Sequence, residues 1–118
     1  PSKIILGMPM YTRQWTIDSN GEIDGRGVVS MLNTKIPNNV EKQWDEDLKQ
    51  YYIEYKSSSD TIKMWIEDGT SIAAKVSLVT KYGLAGTSCW RKDMETSNIW
   101  SVINTELTKA EQNSSETE

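Results

Sequence analysis

Tyr11, Arg13 and Trp15 follow one short apolar run and Trp90 ends another, which sets three aromatic rings and a guanidinium where two such runs stop. Trp and Tyr each join an apolar ring to a polar edge. Arg offers a planar fork of hydrogen-bond donors. The competing assignment is a core Trp, a strand-end Tyr, a surface Arg and, at Trp15, a cap on the core. Phe is absent, so Trp and Tyr carry all the aromatic work, a balance compatible with carbohydrate.

Catalytic groups are harder to find. Glu67 and Asp68 form a carboxylate pair, but they precede an apolar stretch of helical period, where free backbone N–H groups and the helix dipole favour such residues. Asp45-Glu46-Asp47 is a second acidic cluster in a polar region. Asp18-Ser19-Asn20-Gly21-Glu22 opens like a calcium loop, yet Ile23 stands where the sixth-position Gly belongs and Val29 where the closing Glu belongs, so a turn is expected. With no His and only Cys89, an internal disulfide, a zinc site and Ser-His or Cys-His nucleophile systems are excluded. Cys89 reads as a small buried apolar residue. Asn113-Ser114-Ser115 fits a glycosylation acceptor within a polar tail. No metal or cofactor is expected.

Thirteen Lys plus Arg against seventeen Asp plus Glu give a net charge of −4, with the cations scattered along the chain, which disfavours nucleic acid. No apolar run approaches the roughly 20 residues of a membrane span. Pro1-Ser2 leads straight into Lys3-Ile4-Ile5-Leu6, as if a longer protein were cut just before a buried strand.

These residues need a scaffold. Ile4 to Tyr11 is a nearly continuous apolar run, the pattern of a strand covered on both faces. Residues 16–36 are polar and glycine-containing and predict turns around short elements at most, and Pro37 to Lys42 predicts one helical turn. Tyr51 to Tyr55 and Thr61 to Ile66, split by a serine-rich stretch, predict a hairpin, with Tyr51, Ile53 and Tyr55 reading as core. From Ser71 to Tyr82 apolar residues recur at helical spacing, with Thr70 or Ser71 as the starting cap and Gly83 at the end. Leu84 to Trp90 predicts a second strand, and Glu95 to Leu107 a last helix with Ile99, Val102 and Ile103 inward. Lys109 to Glu118 reads as a frayed tail. The order is strand, long insertion with a hairpin, helix, strand, helix, an α/β pattern of repeated strand-helix units.

Lys3-Ile4-Ile5-Leu6-Gly7-Met8-Pro9-Met10-Tyr11-Thr12-Arg13 resembles the seventh barrel strand of glycoside hydrolase family 18: a hydrophobic strand, Gly-x-Pro-x-Tyr, one residue, then Arg. Glu67-Asp68-x-x-Ser71-Ile72-x-x-Lys75 looks like the opening of that family's next helix. Leu84-Ala85-Gly86-x-x-x-Trp90 is similar to its eighth strand. The flanking sequences Tyr11 to Trp15 and Ala85 to Glu95 look most like the branch of spore-forming bacteria that includes cortex-lytic and germination-associated glycosidases. The resemblance spans Lys3 to Trp100.

It implies a partial TIM barrel with a small α+β insertion: strand seven over 1–15, the insertion over 16–67, a helix over 68–83, strand eight over 84–90, a last helix over 95–107 and a flexible tail over 109–118. At 118 residues the chain is far shorter than the roughly 250 of a whole barrel, so the expectation is a C-terminal fragment whose N-terminal half is missing. By resemblance Trp90 is the floor beneath the bound sugar, Tyr11 lines the same subsite, Arg13 donates to substrate and Trp15 extends the binding surface. The implied partner is an amino-sugar polysaccharide such as chitin or peptidoglycan-type glycan. The family's catalytic motif, Asp-x-x-Asp-x-Asp-x-Glu, is absent, so no catalytic residue is expected in this piece. The implied parent is secreted, in the cell wall or spore-associated, and the isolated chain is expected to self-associate through open strand edges. A non-catalytic carbohydrate-binding module and a chitinase-like lectin remain as alternatives.

Overall fold

In the computed structural model, residues 1–115 of the chain are described. The strands are β1 (Ile5–Pro9), β2 (Tyr11–Ile17), β3 (Ile23–Ser30), β4 (Gln43–Asp45), β5 (Gln50–Ser57), β6 (Asp60–Ile66) and β7 (Gly86–Trp90); the helices are α1 (Gly69–Tyr82) and α2 (Ile99–Ser115). They build two sheets. β1 and β7 pair in parallel, and the others form an antiparallel sheet in the order β3-β2-β6-β5-β4.

The first apolar run divides at Met10, which is fully buried and belongs to neither sheet. Its N–H donates to the Trp90 carbonyl at 2.7 Å, and its own carbonyl accepts from Met31 N–H at 3.1 Å. The single strand expected over 1–15 is therefore two strands in different sheets, and the antiparallel unit begins at Tyr11 instead of residue 16. The turns expected over 16–36 are in part a strand: β3 pairs with β2 from Tyr11↔Ser30 to Ile17↔Ile23. As an outer strand largely exposed on both faces, it has no apolar alternation to announce it. Asp18 does form a turn, its carboxylate accepting from Asn20 and Glu22 N–H at 2.9 Å.

The hairpin is β5–β6, with Ile53, Ile62, Met64 and Ile66 buried on the sheet's inner face beneath Ile36 and Val40. A second core joins Met8 and Met10 to Ile72 and Val76 of α1 and to Ile99 and Ile103 of α2. The starting cap of α1 is Asp68, not Thr70 or Ser71: its carboxylate accepts from Thr70 and Ser71 N–H at 3.0 Å, while Ser71 Oγ receives the Asp68 N–H. Gly83 ends it in the left-handed region at φ 61°. β7 starts at Gly86, two residues later than expected. The last helix starts and ends later than expected, running Ile99–Ser115 and so replacing most of the frayed tail. Residues 116–118 of that tail, and the side chains of the Asn113 acceptor triplet, lie outside the described residues.

Candidate functional site

The C-terminal ends of β1 and β7 open onto a cleft of about 390 Å³ lined by Gly7, Met8, Pro9, Tyr11, Ser88, Cys89 and Trp90. Parallel register sets its width, with Pro9 opposite Trp90 and Gly7 opposite Ser88. Trp90 is 70% exposed, so its indole is a surface presented to solvent and not part of the core. Tyr11 shares this cleft, and the Arg13 guanidinium lies 5.6 Å from the centre of the Tyr11 ring. Trp15 is half-buried and stands one step further along the same face of β2, away from the cleft. Three of the four expected residues are thus brought together, and Trp15 lies beyond them.

What aims Tyr11 and Arg13 outward is the residue between them. Thr12 is fully buried on the opposite face, where its Oγ accepts from Glu67 N–H at 3.1 Å and from Thr34 Oγ at 3.0 Å. Glu67, 3% exposed, accepts from Ser71 Oγ at 2.6 Å, Lys75 Nζ at 2.7 Å and Gln50 Nε2 at 3.2 Å. Burial pushes the Glu67 carboxyl above its usual range, opposed by Lys75 and Ser71. The carboxylate pair is therefore split: Asp68 caps α1, while Glu67 ties α1 to the antiparallel sheet. The spacing Glu67-x-x-x-Ser71-x-x-x-Lys75, which places three polar groups on one helix-side line, was the available sequence signal for this tie.

No carboxylate among the described residues lines the cleft. Burial, with Glu95 adding to it, pushes the Cys89 thiol up, which disfavours the nucleophilic thiolate. No cluster of three or more His, Cys, Asp or Glu side chains able to hold a metal occurs among the described residues. What the cleft offers is an aromatic floor, a second ring and an adjacent guanidinium, equipment for holding a ligand with apolar ring faces and polar rims. The peptide joining Trp90 to Arg91 is cis. Beyond it, Leu32 N–H donates to the Met94 carbonyl at 3.1 Å, and Trp100 Nε1 donates to Glu95 at 3.0 Å.

Residues 1–95 match the family profile described as glycosyl hydrolases family 18. The chain is 26% identical over 106 residues to the cortical fragment-lytic enzyme of Bacillus subtilis, covering 86% of this chain and 25% of that enzyme. It is 20% identical over 142 residues to human di-N-acetylchitobiase, covering 91% of this chain and 36% of the other. Among solved structures, a chitinase of Chromobacterium violaceum superposes with a TM-score of 0.76 at 25% identity, over 88% of this chain and 32% of that one. The chain thus spans between a quarter and little more than a third of these relatives' lengths. With the family pattern matching over most of its residues and the cleft at the strand ends, the chain belongs to glycosyl hydrolases family 18.

Proposed function

We propose that this chain is the C-terminal, sugar-binding portion of a family 18 barrel, with β1 and β7 as the seventh and eighth barrel strands and β2 to β6 as the insertion. Trp90 forms the floor beneath a bound N-acetylhexosamine, Tyr11 lines the same subsite, Arg13 donates to the glycan and Trp15 extends the surface. The observation that carries this reading is the Trp90 indole, 70% exposed at a strand mouth and flanking the same cleft as Tyr11. The parent protein hydrolyses β-1,4-linked N-acetylhexosamine polymers, chitin or peptidoglycan-type glycan, with retention: a Glu outside this chain protonates the glycosidic oxygen and the substrate's acetamido oxygen attacks the anomeric carbon. The relatives' names, which speak of cortical fragments and chitobiose, support the substrate class; a secreted, cell-wall or spore-associated site of action is part of the same proposal.

Binding is tested by titrating the chain with chitotetraose and following Trp fluorescence. A saturable change supports the reading, and none at millimolar sugar overturns it. The outer edges of β1 and β7 have no strand partner among the described residues, and in the parent they pair with neighbouring barrel strands. The isolated chain therefore self-associates, and sedimentation showing only a well-folded monomer contradicts that part. The alternatives are a non-catalytic carbohydrate-binding module and a chitinase-like lectin. An upstream reading frame carrying an acidic fourth-strand motif that ends in Glu favours the enzyme over both.

A further inference from the structure

Three of the cations scattered along the sequence come together in space. Directly opposed residues of an antiparallel sheet share a face, and the register places Arg26 of β3 and Lys63 of β6 on either side of Trp15. Arg13 is the next residue on that face of β2, and it stands opposite Trp65, whose ring packs against Tyr52 at 4.8 Å. Two strand spacings separate Arg26 from Lys63, about 10 Å. Arg13 and Arg26 have no carboxylate within ion-pair distance among the described residues; Lys63 reaches Glu54 only at 3.8 Å. Glu54 is the one acidic residue among the paired positions of this face, with Asp24 beyond the bulge at its far end. On a chain of net charge −4 this is a local excess of positive charge around an aromatic ring.

The face is continuous with the cleft. Trp90 and Tyr11 line the cleft, Arg13 lies over the Tyr11 ring, and Trp15 with its flanking cations follows on the same strand. A glycan leaving the Trp90 floor along β2 therefore passes from a neutral subsite onto a ring flanked by three cations. Neutral sugars gain only hydrogen bonds to neutral acceptors from such groups, whereas a glycan bearing carboxylates on some of its rings gains a stronger ion contact at each.

We infer that the outward face of the antiparallel sheet, built on Trp15 with Arg13, Arg26 and Lys63, selects amino-sugar glycans that carry pendant carboxylates over neutral ones. This rests on the sugar-binding reading above and specifies its substrate class. Guanidinium forks at Arg13 and Arg26 are shaped for carboxylates, Lys63 adds a point charge, and the Trp15 ring takes the apolar side of the sugar.

The test is a matched pair of probes titrated into the full chain: chitotetraose, and the tetrasaccharide of alternating N-acetylglucosamine and N-acetylmuramic acid, which has the same backbone with a lactyl carboxylate on every second ring. The acidic sugar binds about three- to tenfold tighter at low salt, and the preference falls away by 0.5 M NaCl, as expected for exposed ion contacts on the order of the Debye length. R26Q and K63Q each reduce that preference about threefold, whereas K3Q, away from this face, leaves it intact. Equal affinities for the two sugars, or a preference unmoved in both variants, overturn the inference while leaving the sugar-binding reading standing. Binding of neither sugar overturns that reading and the inference with it. A short oligouridylate bound as tightly as the acidic tetrasaccharide also overturns it, because charge without sugar recognition then suffices.

Discussion

The parallel pair and the antiparallel sheet bury their apolar residues in different ways. The antiparallel sheet sets Ile53, Ile62, Met64 and Ile66 on one face and covers them with its own connecting segment through Ile36 and Val40. The parallel pair covers one face with α1 and α2, through Met8, Ile72, Val76, Ile99 and Ile103, and leaves the other open: Ile5 is 61% exposed and Trp90 70%. A pair of parallel strands normally has both faces covered. One region is completed within the chain, and the other presents an open surface, which in our reading meets sugar at the strand mouth and further barrel strands at the edges.

The strongest way to break this contrast is to truncate an isoleucine on each side of β1. Ile72→Ala removes a fully buried side chain from the helix-covered face and destabilises the fold by about 2–5 kcal/mol. Ile5→Ala, on the open face, changes stability by no more than about 0.5 kcal/mol. Urea melts of the two variants measure the difference, and equal losses contradict it.

The join between the regions comes next. Lys75→Met leaves the Glu67 carboxylate without its cation, and since Lys75 is itself partly exposed the loss is about 1–3 kcal/mol at pH 7. The sign with pH follows from burial, which raises the folded-state pKa of Glu67. The folded state then holds its proton more tightly than the unfolded state, so stability falls as pH rises from the ordinary carboxylate value of about 4.3 through the raised one. Without Lys75 the folded value rises further, so the deficit shrinks between pH 7 and pH 5. A deficit independent of pH across that range contradicts the assignment.

A smaller effect sharpens the account of α1. Gly83 sits at φ 61° with open space where a Cβ would stand, so Gly83→Ala carries a backbone penalty alone, about 1 kcal/mol by thermal unfolding.

Legibility in the sequence tracked burial. The periodicity from Ser71 to Tyr82, the β5–β6 hairpin and the small-residue strand ending at Trp90 each announce themselves because each packs one defined face. β3 was hidden because Asp24-Gly25-Arg26-Gly27 reads as turns and its mostly exposed faces impose no alternation. Pro9 signalled where the pairing of β1 stops; hidden was the fresh strand that starts at Tyr11 in another sheet, which the bonds of Met10 to Trp90 and Met31 set apart. At the site, residue types pointed to Tyr11, Arg13 and Trp90, but the grouping of Arg26 and Lys63 around Trp15 depends on register between distant strands, which composition does not encode.

The central claim is that Trp90 is exposed for binding and not for folding. Its most direct test is Trp90→Ala, with urea unfolding and chitotetraose titration measured on the same preparation. The account predicts unfolding free energy within about 0.5 kcal/mol of the parent chain and sugar affinity weakened at least about tenfold, a loss of roughly 1.4 kcal/mol. Unchanged affinity, or a loss of stability as large as that of Ile72→Ala, would contradict it.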